Sequence, residues 1–138
     1  DEIDILMVMD GASSGRAEIG FAGIVGSTIG LFKPISTFNY PLFIFYLLKA
    51  RESHIREHTT GSAIPHADKA LILNLDIQYL SIERVIEFEN MAEIWFEKKK
   101  ANRNQIRTLT RLRDTILPKL MSGEVRVKDA AKLKEGVI

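Results

Sequence analysis

The chain has 138 residues, 46% of them hydrophobic and 27% charged, and carries a formal net charge of +1. That length suits one domain with its own core, or a small domain plus an extended element, and the balance excludes a disordered or strongly polyionic chain. The absence of cysteine excludes a disulfide framework, thiolate zinc sites and cysteine nucleophiles and fits a reducing, cytoplasmic setting, while no apolar run reaches the length of a membrane span.

Charge is distributed unevenly. Residues 1–80 hold 6 basic against 9 acidic side chains, and residues 81–138 hold 13 against 9, so the basic half is the second.

The opening "DEIDILMVMDG" reads as a chain entered in mid-domain: an apolar, β-rich run closed by the turn pair Asp10-Gly11. "ASSGR" follows as a small polar loop. In "AEIGFAGIVGSTIGLFKPI", Gly20, Gly23, Gly26 and Gly30 interrupt the apolar residues, a density that suits short strands and corners better than helix. Residues 3–35 are therefore expected to form three short strands. Pro41 then stands at a tolerated first helical position, and Leu42, Phe45, Tyr46, Leu48, Lys49 and Ile55 keep helical spacing, which predicts one helix over 41–59. Gly61 and Pro65 stop it. "LILNLDIQYL" (71–80) has strand length and is expected to return to the sheet.

From Ser81 the texture changes, with no Gly or Pro for over thirty residues and an acidic first turn at Glu83. Phe88, Trp95, Asn102, Leu109 and Ile116 recur every seven residues, with Met91 and Leu112 three positions beyond; this is a heptad seam. Its centre is polar, because Lys98, Asn102 and Gln105 occupy seam positions, although Ile106 partly replaces Gln105. Such a helix calls for a partner helix, and the buried Asn would fix its register. Trp95 is read as packing. The helix is expected to end at Pro118, followed by a turn at Ser122-Gly123, a strand-like "EVRV" and a charged tail with a brief helix. The organisation expected is α+β: a domain of short strands and a helix over 1–80, a long helix over 81–117 and a tail over 118–138.

Several stretches together resemble the specificity subunits of type I restriction-modification systems: "DGASSGR", "GSTIG", "GSAIPHADK" and above all "LTRLRDTILPKLMSGEVRV". The resemblance spans nearly the whole chain and rests on Leu112-Arg113-Asp114, Leu117-Pro118-Lys119-Leu120, Ser122-Gly123-Glu124 and Val125-Arg126-Val127. In that family each target-recognition domain reads half of a split DNA site and is followed by a long helix, two such helices pairing antiparallel as a spacer. The resemblance implies the second part of one recognition domain plus one spacer helix, either as a fragment or as a half-subunit. It implies double-stranded DNA, methyltransferase subunits and a restriction subunit as partners, a homodimer through the long helix, and no catalytic step in this chain. Methylation and cleavage, with S-adenosylmethionine and ATP, would belong to those partners; no stretch resembles a cofactor-binding or nuclease motif.

The candidate DNA-contacting residues are Ser13, Ser14 and Arg16 in the first loop and Ser62, His66 and Lys69 in the second. Arginine forks onto guanine in the major groove, and serines and free amides hold phosphate. The bland alternative is a solvated first loop and a second loop in which Ile64 and Pro65 plug the core while Asp68 caps the next turn. The candidate helix-pairing residues are Phe88, Met91, Trp95, Asn102, Ile106, Leu109, Leu112 and Ile116. Lys98, Lys99, Lys100, Arg103 and Arg107 offer a polybasic face for phosphates, or simply a solvated or docking face. His54, Glu57 and His58 spell the inverted zinc-protease motif H-x-x-E-H. Flanking arginines and small chain size favour a solvated helix end, so no metal is expected. A different class of function stays open: an assembly module that helps build a methyltransferase complex, or competes for its subunits, without reading DNA.

Overall fold

The computed structural model describes residues 3–20, 22–61, 63–76 and 80–126. Three antiparallel strands form one sheet: β1 (Ile5–Val8), β2 (Ala17–Glu18) and β3 (Ile29–Phe32), in the order β2-β1-β3. β1 is central, pairing Leu6 with Glu18 on one side and with Leu31 on the other. The period of two along a strand puts Ile5 and Met7 wholly inside while Leu6 and Val8 are half-buried. These are the three short strands expected between residues 3 and 35.

The next segment is helical but divided. α1 (Pro41–Ala50) and α2 (Glu52–Glu57) are separated at Arg51, whose φ of −99° and ψ of 4° fall outside helical values. The single helix expected over 41–59 is therefore corrected to two. The Arg51 amide is shared between the Leu47 and Leu48 carbonyls, and Glu52 answers Lys49 before the break (2.7 Å) and Arg56 after it (3.6 Å). Leu42, Phe45 and Leu48 from α1 and Ile55 from α2 enter one core with Ile5, Met7, Ala17 and Ile19. Burying a side chain such as Ile55 is worth roughly 1.5–3 kcal/mol.

The strand expected over 71–80 is also corrected. Asp68 accepts hydrogen bonds from the amides of Ala70 and Leu71, at 2.8 and 3.2 Å, and this N-cap starts a short helix, α3 (Lys69–Leu73). Residues 77–79 lie outside the described residues. The chain does return to the sheet, but earlier: the Ala67 amide donates to the Met9 carbonyl at the end of β1 (2.7 Å).

α4 runs over Ile82–Met121 and so passes Pro118, where it was expected to stop. A proline removes one backbone donor, and the helix continues one turn further. It closes at Gly123, whose φ of 75° is the left-handed value of a helix C-terminus, with the Val125 amide donating back to the Lys119 carbonyl. The turn expected at Ser122-Gly123 is present. Residues 124–126 form no strand, and the rest of "EVRV" and the tail lie outside the described residues.

Two compact units divide the chain, Asp1–Phe96 and Glu97–Ile138. In the first, α4 is bound into the core. Its Glu89 carboxylate accepts from the amides of Leu42 (3.1 Å) and Phe43 (2.7 Å), satisfying donors that the start of α1 leaves without intrahelical partners. Phe88 meets the rings of Phe43 and Tyr46 edge-on, with centroids 5.9 and 5.7 Å apart. Val85 and Ala92 are buried beside it. In the second unit, no described residue of α4 is buried. Among the described residues no helix is long and apolar enough to cross a membrane.

Candidate nucleic-acid interface

Two loops singled out in the sequence, far apart along the chain, lie side by side. Residues 60 and 66 pair across a tight hairpin, with the His66 amide on the Thr60 carbonyl (2.7 Å) and the Thr60 amide on the His66 carbonyl (2.9 Å). This hairpin is stapled to the first loop. The Gly11 amide donates to the Pro65 carbonyl (2.9 Å), Asp10 and His66 form a β-bridge, and the His66 ring nitrogen Nδ1 lies 2.7 Å from Asp10 Oδ1. An ionised carboxylate only accepts, so Nδ1 carries the hydrogen and Nε2 is left for an outside partner.

Glycine shapes both loops. At Gly61, with φ of 90°, a Cβ would stand 2.4 Å from the Ile64 carbonyl oxygen and 2.8 Å from His66 Cδ2. At Gly15, with φ of 86°, a Cβ would meet Ile55 Cγ2 at 2.8 Å, so the first loop rests directly on α2. Neither position accepts a side chain without displacement.

The individual candidates differ in what they offer. Ser13 is exposed, whereas Ser14 is 1% exposed and its amide closes the loop onto the Gly11 carbonyl. Arg16 is exposed and holds Glu18 Oε1 through Nε (2.9 Å) and Nη2 (2.8 Å). An exposed pair of this kind is worth about 0–1 kcal/mol, a small obstacle to its exchange for a stronger acceptor. Lys69 is exposed on the first residue of α3. Ser62 lies outside the described residues. The bland reading of the second loop is met in one part, since Asp68 does cap α3, and not in another, since Ile64 is exposed rather than plugging the core. Sequence reasoning missed Asp10 as the partner of His66 and Glu18 as the partner of Arg16. The Arg16–Glu18 spacing across a two-residue strand was a usable signal; nothing local linked Asp10 to a histidine 56 positions away.

On the helix, at 100° per residue, the stripe bound into the first unit (Val85, Phe88, Ala92, Phe96) and the seam (Met91, Trp95, Asn102, Ile106, Leu109, Leu112, Ile116) are centred roughly 100° apart. Phe88 belongs to the edge of both and is half-buried. Met91, Trp95, Asn102, Ile106 and Leu109 are exposed, Trp95 by 66%. Leu109, Leu112, Ile116 and Leu120 line one apolar groove with Arg113 and Leu117. The basic side chains from Lys98 to Arg107 are exposed apart from half-buried Lys100.

Beside a small antiparallel sheet with helices and a long helix beginning at Ile82, the chain carries the closing Leu-Arg-Asp, Leu-Pro-Lys-Leu and Ser-Gly-Glu run, and in sequence it is similar to a class, the type I restriction enzyme specificity subunits. In particular, it is 28% identical over 125 residues, 91% of its length, to the type I restriction enzyme MjaVIII specificity subunit of Methanocaldococcus jannaschii. It is 31% identical over 90 residues, 63% of its length, to the MjaIX specificity subunit of the same organism. The chain spans 29% and 20% of those two relatives, less than a third of either. No family model matches the chain, and no solved structure matches it significantly.

Proposed function

We propose that this chain takes part in DNA sequence recognition as all or part of a type I specificity subunit, in the cytoplasm and without a catalytic step of its own. The observation that carries the reading is the joining of residues 10–16 to the hairpin at 60–66 by Gly11–Pro65, Asp10–His66 and Ala67–Met9 bonds. The two loops are held together, and Ser13, Arg16, His66 Nε2 and Lys69 are assigned to the DNA-facing side. Arg16 is assigned to a base edge, since a guanidinium released from Glu18 forks onto guanine O6 and N7. Lys69 is assigned to a phosphate, which contributes affinity without sequence information. Ser14 contributes by closing the loop. The seam of α4 is assigned to an antiparallel partner helix, in a homodimer or against a second spacer helix, and the basic face beyond Lys98 to methyltransferase subunits. Methylation and cleavage fall to those subunits and a restriction subunit.

Selection from a randomised duplex pool, at a stated moderate salt concentration, tests this reading. The chain is expected to enrich a defined half-site. Arg16→Ala is expected to relax one position of that site by about 1–3 kcal/mol. Lys69→Ala is expected to weaken binding evenly across sequences and lower the salt slope by about 1. Failure to enrich any sequence overturns it.

A second reading is an assembly module that does not itself read DNA. It is favoured by the acidic groups among the loop cations, with Asp10 on His66, Glu18 on Arg16 and Asp68 beside Lys69. They leave this face without the strong positive field typical of non-specific DNA binding. Capture of methyltransferase subunits with no enrichment of duplex would establish it.

A further inference from the structure

We propose that His54, Glu57 and His58 form a surface binding site for a divalent transition-metal ion, with Zn2+ as its first candidate. This goes beyond DNA reading and does not rest on it. The sequence pattern alone favoured a solvated helix end. The structure adds that one nitrogen from each imidazole and one carboxylate oxygen lie within 4.8 Å of one another. The two rings are 4.3 Å apart between centroids.

Several features of the backbone suit the site. On α2 and its C-cap, positions 54, 57 and 58 occupy an arc of roughly 100°. The Nδ1 of His58 lies 2.8 Å from the His54 carbonyl oxygen. A carbonyl only accepts, so Nδ1 carries the hydrogen and Nε2 presents its lone pair outward. Orientation of a ligating imidazole by a backbone carbonyl is a common second partner at metal sites. The last carbonyls of α2 add partial negative charge at the same end. The competing cation, Arg56, is directed at Glu52 (3.6 Å) on the other side of the helix.

The donor set selects the class of ion. Two imidazoles and one carboxylate suit Zn2+, Cu2+ or Ni2+, whereas Ca2+ and Mg2+ take oxygen ligands. Tetrahedral zinc with bonds near 2.0–2.2 Å needs donors roughly 3.3 Å apart, so the side chains must close by at most about 1.5 Å. All three are exposed, which leaves their rotamers free to do so. Water completes the coordination. The role assigned to the ion is binding. The ion joins the last turn of α2 to His58, two residues before the Thr60–His66 hairpin begins, and so fastens the segment leading into that loop.

The test is titration of the full chain, free of any histidine tag, with Zn2+ by calorimetry, combined with NMR of the histidine ring protons. One ion per chain is expected, with the signals of His54 and His58 shifting and those of His66 unmoved. His54→Ala and His58→Ala are each expected to lower affinity by about tenfold or more, as loss of a ligand should at least match the loss of a supporting contact. Glu57→Gln should lower it less, and His66→Ala should leave it unchanged. All are exposed positions, so circular dichroism should confirm folded variants. Zn2+ should raise the melting temperature of the parent chain and not that of the double variant His54→Ala/His58→Ala. Absence of one-to-one binding, binding unaffected in that double variant, or binding lost on His66→Ala overturns the proposal.

Discussion

The two ends of α4 share one helix and behave as two kinds of surface. Over 82–96 the apolar residues are divided between a buried stripe, with Val85 and Ala92 inside, and an exposed stripe that includes Trp95. Over 97–121 the second stripe continues, with Leu117 and Met121 on the line of the first, and none of these residues is buried. A helix whose core contacts stop part-way needs another reason to remain helical, since isolated helices are marginal in water. Here the reason offered is a partner along the Leu109, Leu112, Ile116 groove. The lesson is that a heptad seam and a core stripe can coexist on one helix when they are rotated apart, and that only the core stripe reports on the domain.

The largest expected effect lies on the core side. Val85→Asp buries an unpaired carboxylate at a 3% exposed position and is expected to cost about 3–5 kcal/mol, read as loss of cooperative melting. A variant that melts like the parent would break the comparison. On the other side, Leu109→Asp combined with Leu112→Asp should leave domain stability within about 0.5 kcal/mol per exposed position. It should also abolish dimers at tens of micromolar in sedimentation equilibrium. A parent chain that is strictly monomeric under those conditions removes the assigned role of the seam.

Smaller effects sharpen the boundary. Glu89→Ala removes the acceptor for the Leu42 and Phe43 amides and should cost about 1 kcal/mol, while Glu93→Ala, on an exposed position one turn away, should cost nothing measurable in denaturant unfolding. Equal costs would mean that the cap contributes nothing. The smallest effect concerns pH. The Glu83 carboxyl is held below its ordinary value of 4.5 by its own backbone N–H and then by the Ser81 hydroxyl. A depressed folded value gives stability that is complete above about 4.5 and lost as pH falls through the folded value. Protection factors, exchange rates taken relative to the intrinsic rate at each pH, should therefore fall in the first turn of α4 on acidification below that point, and Ser81→Ala should diminish the response. Protection that rises in acid would contradict the sign.

Much of this architecture was readable in residue order, because the signals are local. Alternating apolar residues in "ILMV", glycine density over 20–30 and the gap in Gly and Pro after Ser81 each act within a few residues. The failures were decisions taken elsewhere. Residues 69–73 became helix because Asp68 supplies a cap, which outweighed strand-like composition. The break at Arg51 falls inside an unbroken helical pattern, with Lys49 meeting Glu52 across it. The candidate reading surface was legible as two separate loops; their union depends on hydrogen bonds such as Ala67 to Met9, fixed by tertiary approach and invisible to spacing. Burial of Ser14 likewise depends on what lies beneath its loop.

What lies beneath is Ile55, seated against the bare backbone of Gly15. That contact divides the loop into fixed and editable letters. Gly11 and Gly15 are determined by backbone geometry, whereas Ala12 and Ser13 face outward and bear no structural duty beyond the turn. A library randomised at 12 and 13 should return mostly folded proteins, and one randomised at 15 should return few. Whatever this loop touches can thus be respelled without redrawing the scaffold that holds it.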